Sequence, residues 1–133
     1  AGVRPVATAE DLTRARHDHV AVEQVDAVIG YTETAEREIP GGDLQRAYDE
    51  LRRGRLQLTA TGDTIAEAVE KNELSSRRAG PATDAVDEAH AKIDEAVETL
   101  LGDPSAADQV SALDLALSAR ETLENGFRRV RCR

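Results

Sequence analysis

The chain has 133 residues, of which 26 are acidic and 17 are Lys or Arg, leaving a formal net charge of −9 at pH 7; that length suits one domain and is short for two. Phe127, Tyr31 and Tyr48 are its only aromatics while alanine fills 22 positions, so a core must come from small and aliphatic side chains meeting closely, which argues against a β-sandwich. The acidity concentrates in residues 82–125, with 11 acids and two bases, and such a surface repels phosphate and excludes nucleic acid as an expected partner.

No run of eighteen apolar residues occurs, so no membrane span is expected and a soluble domain is. The opening AGVRPVATAE does not read as a signal peptide, and it leaves the compartment open between cytoplasm and export. Pro40-Gly41-Gly42, Ala79-Gly80-Pro81 and Gly102-Asp103-Pro104 divide the chain into four segments, each of which reads as a helix.

The first helix is expected at roughly 9–38. Thr8 and Asp11 supply a hydroxyl and an acid for the exposed amides at its start, and Leu12, Ala15, His19, Val22, Val25 and Ile29 form an apolar stripe at steps of three and four. Within it, RARHDHVAVE puts His17, His19 and Glu23 close together in sequence. Each residue turns the helix by about 100°, so His17 and His19 point about 200° apart while His19 and Glu23 share a face. One metal cannot take all three from an intact helix, and His17 is expected on the solvent side.

The second helix, at roughly 43–77, takes Asp43 as its N-cap and carries Leu44, Ala47, Leu51, Leu58, Ile65 and Val69. Gly54, Gly62, Thr59, Thr61 and Thr64 lower its helix propensity, as Gly30 does in the first helix. Three readings stay open there: a break, a small cavity between Gly30 and residues 54–64, or glycines that merely sit where helices cross.

The third helix, at roughly 82–101, follows Pro81, a residue suited to a first helical turn. Its stripe is Val86, Ala89, Ile93, Val97 and Leu100, and Gly102 suits the left-handed residue that closes it. The fourth, at roughly 105–130, opens on Ser105 and Asp108, an approximate capping box, and carries Val110, Leu113, Leu117, Leu123, Phe127 and Val130. Residues 128–133, with four arginines, read as a frayed basic tail. Cys132 stands alone, so no internal disulfide can form.

Short connections leave successive helices side by side. The expected fold is therefore all-α, an antiparallel up-down-up-down four-helix bundle with a longer first hairpin. At about 1.5 Å per residue the first two helices would reach about 45–50 Å and the last two about 30–40 Å. The surplus must project, break, or be buried against a second copy, and a homodimer through the first hairpin is the expected elaboration.

No Gly-x-Ser-x-Gly elbow, phosphate loop or dinucleotide fingerprint is present. Carboxylate pairs such as Glu36 with Glu38, or Asp94 with Glu98, are ordinary in a chain with 26 acids. No enzyme activity, catalytic residue or cofactor is therefore expected. The expected function is a non-enzymatic interaction or sensory domain, in which Asp84, Asp87, Glu88, Asp94, Glu95 and Glu98 of the acidic second hairpin, with Asp108 and Asp114 beyond them, steer a basic protein partner. The alternative is a small-molecule or metal site, either near Gly30 and residues 54–64 or at His19, Glu23, Asp87 and His90, donors that suit zinc at about 2.0–2.2 Å. A di-iron bundle needs Glu-x-x-His on two helices, and here only Asp87 and His90 have that spacing.

Overall fold

A helix leaves its first amides and last carbonyls without internal partners, so its ends fall where side chains or left-handed residues can supply them. The computed structural model describes the backbone of residues 9–131 and the side chains of residues 20–127. It contains α1 (Ala9–Gly41), α2 (Leu44–Glu70), α3 (Ser76–Leu100) and α4 (Ala106–Arg131), with no strand among the described residues. Each helix packs on its neighbours in chain order, and α4 closes the ring against α1, giving the antiparallel up-down-up-down four-helix bundle. None of these helices is long and apolar enough to cross a membrane.

Three helix ends follow from local chemistry. The Arg46 amide donates to the Asp43 carboxylate at 3.1 Å, just after Gly42 at φ +90°. The Ser105 amide donates to Asp108 at 3.0 Å and the Asp108 amide to the Ser105 hydroxyl at 3.1 Å, a reciprocal capping box. Gly102 takes φ +81° beyond the end of α3. The start at Thr8 and Asp11, the side chains of Leu12, Ala15, His17 and His19, and those of the 128–133 tail with Val130 and Cys132 lie outside the described residues.

The α2–α3 junction lies elsewhere than at Gly80-Pro81: α2 stops at Glu70, well short of 77, and α3 begins at Ser76, ahead of 82. Asn72 adopts φ +59°, its amide donates to the Val69 carbonyl at 3.0 Å and the Glu73 amide to Ala68 at 2.8 Å. This pattern is a Schellman motif with Asn in the left-handed position. Ser75 then caps α3 by accepting from the Arg78 amide at 3.2 Å. Pro81 sits inside α3, where it lacks the amide that would bond the Arg77 carbonyl, while Ala79 and Ala82 on either side are buried.

With 33, 27, 25 and 26 residues in α1 to α4, the first hairpin is the longer, and its excess lies in α1. Neither Gly30 nor the 54–64 stretch breaks its helix. The expected stripe of α3 is buried throughout, and α2 buries Ala47, Leu51, Leu58 and Ile65. On α1 the buried line runs through Val25, Val28, Thr32, Ala35 and Ile39, leaving Val22 and Ile29 half-buried at its edge.

The departure is on α4, where Ala112, Ala116 and Ala119 lead inward with Leu123 and Phe127, and Val110 is 60% exposed. Leu113 and Leu117 are half-buried at the flanks. Near the far end of α4 the approach to α3 is close, since a Cβ on Gly126 would overlap the Ala85 methyl. Thr32 and Thr61 are fully buried, and their hydroxyls donate to the carbonyls of Ile29 at 2.8 Å and Gln57 at 2.9 Å. Those bonds satisfy them within their own helices.

Candidate functional site

The register between α2 and α3 is set by side chains that meet across it. Arg55 Nη1 lies 2.6 Å from Asp94 Oδ1, and Thr59 Oγ1 lies 3.4 Å from His90 Nε2. Beneath them Gly54 is buried, and a Cβ there would stand 3.8 Å from Ile93 Cδ1. Above this floor runs an open groove of about 570 Å³, lined among others by Arg52, Arg55, Leu56, Thr59, His90 and Asp94.

The α2 wall carries Arg52, Arg53 and Arg55 with Asp49 at its edge. The Arg52 guanidinium lies over the Tyr48 ring, 5.5 Å from its centre, a cation–π contact one helical turn away. Arg53 bonds Glu50 at 3.1 Å. Between these arginines and Thr59, Leu56 stands 74% exposed, although Leu gains by burial.

The α3 wall is acidic. Asp84, Asp87, Glu88, Glu95 and Glu98 are exposed and Asp94 is half-buried, and their spacing puts all six on one arc of about 120° opposite the buried stripe. Exposed Ala91 sits mid-arc, a neutral gap between Asp87 and Glu88 on one side and Asp94 and Glu95 on the other. Glu88 is paired with Lys92 at 3.0 Å, and Lys92 also donates to Thr122 Oγ1 of α4 at 3.0 Å. The acids thus form a face of α3 alone: Asp108 belongs to the α4 cap, and exposed Asp114 lies on α4.

The two small-ligand sites expected from sequence are arranged differently. Asp87 points outward and His90 faces Thr59 on α2, while Glu23 is on α1, which packs on α2 and α4 across the bundle from α3. The described residues hold no group of three His, Cys, Asp or Glu able to bind a metal, and the His19 side chain is outside them. Gly30 is exposed with open space around it. Gly54 backs on Val28 and Ile93, and the groove opens on the opposite side of α2.

The carboxylate pairs act in packing. Glu36 receives Arg120 Nε at 2.9 Å and Nη2 at 3.0 Å, and Glu124 receives Nη1 at 2.9 Å. Hydrogen bonds from Glu36, then Glu124, hold the Arg120 guanidinium well above its usual range, so it stays charged while it clamps α4 to α1. Glu38 pairs with Arg46 at 3.8 Å.

The residues that sequence reasoning missed are Arg52, Arg53, Arg55 and Leu56. Their stretch, RRGRL, was legible as a basic cluster with an exposed apolar neighbour, but Gly54 directs attention to helix weakness. Comparison with protein-family models, with curated proteins and with solved structures finds no match.

Proposed function

We propose that the chain is a non-enzymatic protein-interaction domain whose partner docks on the outward face of α2 and α3. The observation that carries this reading is Leu56, 74% exposed, set among arginines beside a groove whose far wall is acidic. An apolar contact inside a charged rim is the usual anatomy of a protein interface. The acids of α3, Asp84, Asp87, Glu88, Asp94, Glu95 and Glu98, give the partner's basic groups long-range attraction and a register. An open groove with charged walls favours a protein over a small molecule, whose sites enclose most of the ligand among mainly apolar walls.

The test is a photo-reactive amino acid placed at Ala60, exposed on α2 one turn from Leu56, or at Glu33, exposed on α1. Irradiation in cells should give a discrete protein adduct from position 60, and the adduct should vanish with Leu56→Asp. Adducts at neither position, or equally at both, would overturn the reading.

A further inference from the structure

We infer that the partner on this face is a second copy of the chain, related by a two-fold axis parallel to the helices and centred over the α2–α3 groove. The inference rests on the reading just proposed and names its occupant. Rotation about such an axis leaves every residue at its height along the bundle and exchanges α2 with α3. Each α2 then lies antiparallel on the α3 of the other copy, and the contact occurs twice.

The heights are fixed by the contacts already described. Arg55 is level with Asp94, Thr59 with His90 and Gly54 with Ile93, so Leu56 is level with residues 91–93, and Arg52 and Arg53 with residues 94–97. Among 91–93 the exposed residue is Ala91, while Lys92 is half-buried and Ile93 buried. The exposed Leu56 of one copy therefore faces the neutral gap in the acidic arc of the other. Arg52 and Arg53 face Glu95, with Glu98 one turn further along α3. On the Arg52 and Arg53 side of Leu56, cations beside the knob meet anions beside the seat, at matching height and on a surface that carries both halves.

This complementarity selects a second copy over an unrelated basic protein. A basic partner would satisfy the acidic arc and confront Arg52 and Arg53 with like charge; a second copy sets those two arginines against Glu95 and Glu98, twice. Because the two contacts are equivalent, the assembly closes at two copies. It also places a dimer contact on α2 and α3, where sequence reasoning had placed it on the first hairpin's surplus.

The experiment is sedimentation of the full chain, 14.3 kDa, over a range of concentration, with two charge-reversed variants. Wild type should reach twice the chain mass. Arg52→Glu with Arg53→Glu should weaken the dimer roughly tenfold or more, and so should Glu95→Arg with Glu98→Arg, since each sets like charges opposite one another. Mixing the two variants should restore a dimer, because every contact in the heterodimer again joins opposite charges, a rescue that mere damage to the fold would not give. Circular dichroism confirms that each variant is folded. A monomer at the highest soluble concentration, or a dimer indifferent to both reversals, would overturn the inference. A monomer whose adduct at position 60 contains a different protein sinks the second copy and leaves the interaction reading standing, whereas no adduct at all sinks both.

Discussion

The two hairpins fill the same bundle with different material. Among the described residues α1 and α2 bury Val25, Val28, Ile39, Leu51, Leu58 and Ile65 with four alanines, while α3 and α4 bury Val86, Ile93, Val97, Leu100, Leu123 and Phe127 with eight. Their helical glycines show the consequence. A methyl on Gly54 would meet Val28 Cγ1 at 3.6 Å, an ordinary contact, whereas one on Gly126 would run into Ala85. At Gly54 a methyl has an ordinary place to go; at Gly126 the Ala85 methyl already occupies it, and glycine is required.

The most damaging change tests whether both halves share one core. Ile93 is fully buried and points toward Gly54, so Ile93→Asp should unfold the whole bundle, since an unpaired carboxylate there costs several kcal/mol against a typical stability of about 5–15 kcal/mol. A thermal melt followed by circular dichroism reads this directly, and an unchanged curve would mean that Ile93 is not where the two hairpins meet. Next, Gly126→Ala should destabilise by about 1–3 kcal/mol through overpacking, seen as a lower midpoint in urea.

Arg120→Ala probes the join between hairpins, because Glu36 is on α1 and Arg120 on α4. Loss of these charged hydrogen bonds in a partly exposed setting should cost about 1–2 kcal/mol. The guanidinium's raised pKa means that its contribution is complete below its ordinary range and is lost only in strong alkali. The difference in melting temperature between wild type and variant should therefore stay constant from about pH 7 to about pH 10. The smallest effect has the opposite sign: Gly54→Ala should leave stability unchanged or raise it by up to about 1 kcal/mol, as alanine favours the helix and fits the space. If Gly54→Ala and Gly126→Ala behaved alike, the contrast between the hairpins would fail.

What the sequence disclosed follows the range of each interaction. The caps at Asp43 and Ser105, the left-handed Gly102 and the buried stripe of α3 depend on neighbours within a few positions, and all are legible. Asn72 and Ser75 are equally local, but Gly80-Pro81 is the stronger punctuation and drew the boundary to itself. The stripe of α4 misleads because hydropathy ranks Val110 and Leu117 above Ala112 and Ala116, whereas which face turns inward depends on the helices packed around α4. The site divides the same way. The acids of α3 read as one face from spacing alone, whereas their relation to Arg52, Arg53 and Leu56 depends on a register between helices that no single segment contains.

The alanine seam has a further consequence for motion. An alanine methyl has no rotamer to exchange with, and burying it freezes no side-chain torsion. Rotamer hopping in the folded interior is therefore left to the larger side chains elsewhere in the core, and the line from Ala112 to Ala119 has none to contribute. That line belongs to the helix packed beside α3, so the neighbour of the wall carrying Ala91 and its flanking acids is ordered at little cost in side-chain entropy.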